Sequence, residues 1–157
     1  MAPSATALRL DPLPPGLDLP PGFRRLVFPH GFMRICGDFY LHETEPVLAA
    51  HVTEAQLNNQ GISHGGFLAT LADSAYGAVL RRDTPHLLPR TVQLSVNFLG
   101  PVVAGEFVEA RVAFDRVGRR LAYGTCNLSV AGRIVLQTTA VFSVAQSAPT
   151  ERDANQA

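Results

Sequence analysis

Two rhythms of apolar and polar residues run along the chain. The period of two governs four stretches. Over residues 106–116, Val108, Ala110, Val112 and Phe114 alternate with Phe107, Glu109, Arg111 and Asp115, which predicts a strand with one buried face. Residues 91–99 set Val92, Leu94, Val96 and Phe98 against Gln93, Ser95 and Asn97, and stop at Gly100-Pro101, a turn signal. Residues 119–131 place Ala122, Gly124, Cys126, Leu128 and Val130 on one face, and Gly132 permits a tight reversal into residues 134–144. These stretches predict a meander of four antiparallel strands, extended by shorter strands over 37–41 and 47–52. The rhythm changes once. Over residues 64–82, Phe67, Leu68, Leu71, Ala72, Ala75, Tyr76, Val79 and Leu80 recur at helical spacing. That segment is apolar almost all round, which predicts a central helix. Ser63 is the expected N-cap, and Arg81 with Arg82 offsets the negative end of the helix dipole. One buried helix with a long antiparallel sheet is an α+β arrangement.

Composition sets the limits of the domain. Six of the 12 prolines fall before residue 22, and a proline-rich stretch lacks the amide donors of a helix or central strand. We therefore expect an extended arm over 1–22, one folded domain over 23–144 and a polar tail over 145–157. A length of 157 residues, 46% hydrophobic, is enough for one real core. The 13 basic residues, all arginine, balance 13 acidic ones, for a formal net charge of zero. That balance argues against nucleic acid or an anionic membrane as partner, and the absence of lysine excludes Schiff-base chemistry. No apolar run reaches the roughly 20 residues of a membrane helix, and the first ten residues lack a signal-peptide pattern, so the expected location is cytoplasmic. Cys36 and Cys126 form no CxxC pair and are expected to be reduced, structural thiols. His30, His42, His51 and His86 show no metal-ligand spacing, so no metal is expected. Nucleophile-elbow, P-loop and dinucleotide-binding motifs are also missing.

Within the helix, Asp73 demands an explanation, because a carboxylate in apolar surroundings loses hydration. At about 100° per residue, Gly66, Thr70, Asp73 and Gly77 fall on one narrow stripe of small or polar residues. An interior glycine costs about 1 kcal/mol relative to alanine, so close approach of a ligand or a second backbone is the expected compensation at Gly77. At the helix start, Gly65 and Gly66 leave the outward-pointing amides unshielded, a setting suited to a developing oxyanion. As plain structure, the same features are a solvated polar stripe and a tight loop-to-helix turn.

Asn58-x-x-Gly61-x-x-His64-Gly65-Gly66, then Asp73, then Asn97-Phe98-Leu99-x-Pro101, resembles the hot-dog acyl-CoA thioesterases of the phenylacetate-degradation (PaaI) type, over about residues 39–144. The resemblance implies a curved antiparallel sheet of five to six strands wrapped around one long central helix. It also implies hydrolysis of acyl- or aryl-CoA thioesters without metal or organic cofactor. Asp73 then matches the catalytic acid, acting as general base or nucleophile, and the Gly65 amide matches the oxyanion donor. Asn58 matches the residue that holds water or the substrate carbonyl, His64 a positioning histidine, and Thr91 the place of a helpful hydroxyl. Gly66 is a substrate-binding candidate, and Arg116, Arg119 and Arg120 are candidates for the CoA phosphates. Gly65 and Asp73 are eight residues apart, about 12 Å along one helix, too far to grip one carbonyl. A site shared across a two-fold axis is therefore expected, in a homodimer that pairs again into a homotetramer. Two alternatives share the fold: a hydratase or dehydratase, and a non-catalytic acyl-CoA sensor. Phe23, Phe28, Phe32, Phe39 and Tyr40 are candidates for the lining of an acyl pocket, or for ordinary core.

Overall fold

A computed structural model describes residues 8–146. In chain order it forms β1 (Arg9–Asp11), β2 (Phe23–Val27), the short helix α1 (Met33–Cys36), β3 (Phe39–His42), β4 (Val47–His51), a single 3-10 turn (Glu54–Gln56), the long helix α2 (Gly65–Asp83), β5 (Leu87–Phe98), β6 (Phe107–Val117), β7 (Leu121–Val130) and β8 (Arg133–Gln146). Every strand pairing is antiparallel, in the order β1-β2-β3-β4-β6-β7-β8-β5. Helix α2 packs against β4, β5, β6 and β7. This is the hot-dog arrangement, with eight strands where five to six were expected. The additional pairings come from β1 and β2, of which β1 lies within the proline-rich segment. Residues 1–7 and the tail from 147 onward lie outside the described residues.

Three expectations need correction. First, β5 does not pair with the strand that follows it. It crosses to the far side and pairs with β8, while β6 pairs with β4, because alternation fixes which face is buried but not which strand is the neighbour. Second, the face of β5 opens toward solvent at both ends of its apolar run. Val92 is 61% and Phe98 57% exposed; Val92 sits in a register break between Thr91 and Gln93, and Phe98 ends an edge strand. Third, the N-cap is His64 rather than Ser63. The His64 Nδ1 accepts the Gly66 N–H at 2.9 Å, whereas Ser63 is buried and its hydroxyl has no hydrogen-bond partner. The β7–β8 reversal follows the sequence: Ala131 (φ 46°) and Gly132 (φ 81°) are both left-handed, as a tight hairpin turn of this hand requires.

The core is the inner face of the sheet closed over α2, with Leu71, Ala72, Ala75 and Tyr76 fully buried. The Tyr76 hydroxyl shares a 2.9 Å hydrogen bond with Thr138 Oγ1 that either can donate, and lies 3.3 Å from the Gly124 and Thr138 carbonyls, which accept from it; the Thr138 hydroxyl lies 3.3 Å from the Cys126 carbonyl, which accepts from it. Burial raises the Tyr76 phenol well above its ordinary range. A second, smaller cluster of Phe23, Tyr40, Val47 and Ala49 is covered by Leu13, Leu17 and Leu19 of the proline-rich segment. Both cysteines are free. Burial raises the Cys36 thiol and pushes that of Cys126 up to about 12. Because the thiolate is the reactive form, an aromatic disulfide reagent at pH 8 should titrate at most one thiol in the folded chain, that of half-buried Cys36. The second should appear only in denaturant, and two fast-reacting thiols under native conditions would contradict this packing.

Candidate active site

The residues singled out by sequence converge on two places on one chain. The first is built by the loop before α2. Asn58 Oδ1 accepts the Gln60 N–H at 2.8 Å and the Ile62 N–H at 3.4 Å, so its carbonyl oxygen is occupied in holding the turn. Its Nδ2 donors have no partner among the described residues. At the helix start, the His64 cap takes the Gly66 amide, while the Gly65 N–H has no acceptor among the described residues. An accepting Nδ1 leaves the neutral ring's proton on Nε2. Asn58 and Gly65 line one cavity of ≈ 440 Å³ with Ser63, Phe98 and Pro101. A Cβ at position 65 would stand 3.0 Å from the Phe98 ring, so a larger residue there would have to push the ring aside. Two unpaired N–H donors beside an open cavity at the positive end of a helix are the chemistry of an oxyanion site.

The second place is just over two turns along the helix. Thr91 Oγ1 donates to Asp73 Oδ1 at 2.7 Å. This contact brings β5 to α2 and engages one carboxylate oxygen, while Oδ2 has no partner among the described residues. Half-buried Asp73 lines a cavity of ≈ 220 Å³ with Leu26, Phe28, Gly77, Arg81 and Thr91. A carboxylate held by one oxygen and free at the other is arranged to take a proton or to attack an acyl carbon. Leu8, Leu26, Phe28 and Arg81 at this cavity were not foreseen. Phe28 had been considered for an acyl pocket, but periodicity carries no signal that places it, or Leu8 of the proline-rich segment, beside the acid.

Other candidates are placed differently. Gly66 and His64 line a third cavity, of ≈ 570 Å³, together with Thr70. Arg116, Arg119 and Arg120 are exposed on the β6–β7 hairpin and line neither the Asp73 nor the Gly65 cavity. Their hairpin lies at the sheet level of Thr91, since Val117 pairs with Ala122, Ala122 with Phe142 and Phe142 with Thr91. Of the five aromatic candidates, Phe23, Phe39 and Tyr40 are core; only Phe28 and Phe32 line these cavities. Among the described residues, no group of His, Cys, Asp and Glu could hold a metal, and no helix is long and apolar enough to cross a membrane.

Residues 60–136 match the sequence profile of the Thioesterase superfamily. The chain is 29% identical over 131 residues to a Pseudomonas aeruginosa protein named "Putative esterase PA0474", covering 80% of this chain and 97% of that one. A "Hypothetical Thioesterase Protein" of Streptococcus pneumoniae, solved with coenzyme A, superposes with a TM-score of 0.60 at 26% identity, over 66% of this chain and 82% of that one. That protein has also been solved with an aspartate, and separately a threonine, replaced by alanine. A variant of the phenylacetic acid degradation protein PaaI of Thermus thermophilus superposes with a TM-score of 0.57, over 88% of this chain and 94% of that one. At 24% identity, it shows likeness of fold alone.

Proposed function

For a chain whose residues 60–136 match the Thioesterase superfamily, we propose hydrolysis of acyl- or aryl-CoA thioesters in a site assembled from two copies. One observation carries this reading: the donors and the acid line two different cavities of the same chain. With about 12 Å of helix between Gly65 and Asp73, a single copy cannot apply both to one carbonyl. A two-fold axis passing near Ala69, midway between them, sets Gly65 of one copy beside Asp73 of the other. Half-buried Ala69, Thr70, Asp73 and Gly77 line the side of α2 left uncovered by the sheet. The outer edge of β5, last in the sheet order, offers the complementary backbone pairing.

In this site, the Gly65 N–H and Asn58 Nδ2 stabilise the oxyanion that forms as the carbonyl carbon is attacked. Asp73 delivers the oxygen, either its own Oδ2 or that of a water it deprotonates, and Thr91 holds the carboxylate in aim. Collapse of the tetrahedral species breaks the C–S bond. Where water attacked, Asp73 passes the proton it took to the departing thiolate, giving free CoA and the acid; where Asp73 itself attacked, the thiolate is protonated from solvent, and water then hydrolyses the mixed anhydride left on Asp73 to the acid and the free carboxylate. His64 positions the helix start through its cap. The arginine hairpin, at the level of Thr91, supplies charge for the CoA phosphates.

The direct test is thiol release from acetyl-, octanoyl-, palmitoyl-, phenylacetyl- and hydroxybenzoyl-CoA. Silence toward all of them would refute a thioesterase. The shared site is tested at Gly77, where a Cβ would meet nothing within 4 Å in one copy. In an isolated chain, Gly77→Ala should stabilise the helix by about 1 kcal/mol. If a second copy packs against this stripe, the variant should instead weaken dimerisation, seen as a raised dissociation constant in sedimentation.

A further inference from the structure

The third cavity has no part in the chemistry above. One of its walls is α1, a four-residue helix with no buried residue, whose neighbouring apolar side chains stand in the open: Phe32 is 62% and Ile35 80% exposed. Single exposed apolar residues are ordinary, but these two converge with Cys36, Leu57 and Phe67 on one cavity of ≈ 570 Å³. Met33 and Cys36 hold the wall by packing half-buried against the core, and two polar contacts add to this. Gln56 Nε2 donates to the Cys36 carbonyl at 2.8 Å, and the Ser74 hydroxyl donates to Met33 Sδ at 3.1 Å. Ser74 is the neighbour of Asp73, while the same cavity reaches His64, Gly66 and Thr70 at the helix start. The α1 wall therefore runs along α2 from Gly66 past Thr70 to Ser74, on the flank adjoining the one that carries Asp73, and starts beside the helix end that holds the Gly65 amide.

We propose that Phe32 and Ile35 form the specificity-determining wall for the apolar acyl group of the thioester. This inference rests on the hydrolytic reading for its occupant: the group attached to a carbonyl held at the start of α2 has this groove next to it. Acyl groups too short to reach α1 leave the two side chains in water. A longer aliphatic or an aromatic acyl group covers them and gains the transfer free energy of that contact.

The test uses the full-length Phe32→Ala and Ile35→Ala variants and two readouts. In steady-state kinetics, the ratio of kcat/KM for octanoyl-CoA to that for acetyl-CoA should fall about 10-fold in each variant, mainly through KM. The same ratio for phenylacetyl-CoA reports whether a flat ring or a flexible chain uses the wall better. In calorimetry, the non-hydrolysable thioethers S-octyl-CoA and S-ethyl-CoA should show the same loss of discrimination without turnover. An unchanged ratio in both readouts overturns the proposal. So does unchanged thioether discrimination with a shifted dimer dissociation constant, which would mean that a second copy covers Phe32 and Ile35. If wild type releases no thiol from any thioester, the hydrolytic reading fails, and the thioethers still decide the wall. Length-dependent binding lost in the variants supports it, and failure of wild type to prefer S-octyl-CoA overturns it.

Discussion

Asp73→Asn should lower acyl-CoA turnover by about 10²- to 10⁴-fold and leave the fold intact. Asparagine keeps the size of the side chain and retains an oxygen able to accept the Thr91 hydroxyl, which donates at 2.7 Å in the native chain. What is lost is the free oxygen of the carboxylate, the one carboxylate among the described residues lining this cavity and the group able to take a proton from water or to attack carbon. The effect should fall on kcat rather than KM, because the donors at Asn58 and Gly65 that hold the carbonyl are untouched. Thr91→Ala serves as the graded comparison: it frees the carboxylate without removing it, and its loss should be smaller than that of Asp73→Asn. Thermal unfolding of each variant beside wild type separates chemistry from folding. Equal turnover in Asp73→Asn would remove the acid from the mechanism. In active wild type, ¹⁸O from labelled water appearing in the Asp73 carboxylate after a single turnover shows a mixed anhydride opened at the Asp73 carbon, and rapid-quench trapping of an acyl-enzyme detects one opened at the acyl carbon; neither signal is expected for a general base.

Tyr76→Ala should cost about 3–5 kcal/mol of stability, the range for truncating a large aromatic ring in a packed core. Tyr76 is fully buried in α2, and its ring lies 5.4 Å from that of Phe142 and 5.9 Å from that of Phe114, so the helix is joined through it to β6 and β8. Tyr76→Phe isolates the polar part. It leaves the ring and removes the hydroxyl that bonds Thr138 Oγ1 and the Gly124 and Thr138 carbonyls, for an expected cost of about 1–3 kcal/mol. Urea unfolding at one fixed protomer concentration measures both, since dimerisation would make the midpoint concentration-dependent. A Tyr76→Phe variant as stable as wild type would show that the hydroxyl network adds nothing net.

The legible parts of the fold are those with a local cause. Helix α2 was readable because Phe67 to Leu80 repeats at helical spacing and a glycine pair precedes it, and it begins and ends within one residue of the expected limits. Strands β6 and β7 were readable because their buried positions alternate, as Val108, Ala110 and Val112 do, and β8 because it follows the Gly132 reversal. The neighbour of β5 was not readable, because the same alternation suits either β6 or β8. Ser63 was the better N-cap by residue type, yet its side chain turns inward and His64 takes the amide, a choice made by packing of the loop. At the candidate site, the spacing from Asn58 to Asp73 was visible as a motif, whereas the contact between Asp73 and Thr91 was approachable only through the family resemblance. Which aromatic residues would line a cavity was not visible at all, since Phe32 and Phe39 look alike in sequence, yet Phe32 caps α1 in the open and Phe39 is buried in β3.

The placement of β5 beside β8 also bears on how the chain reaches this fold. During synthesis, β5 emerges complete at Phe98, and its partner begins only at Arg133. At about 5–20 residues per second, several seconds pass in which Leu94 and Val96 have no strand to lie beside. Contacts so distant in sequence also form slowly in the free chain. The nascent or refolding protein thus displays a long unpaired strand next to an apolar helix before β8 closes the sheet. Recovery from denaturant should therefore fall as protein concentration rises, and a chaperone that shields strands would act in that interval.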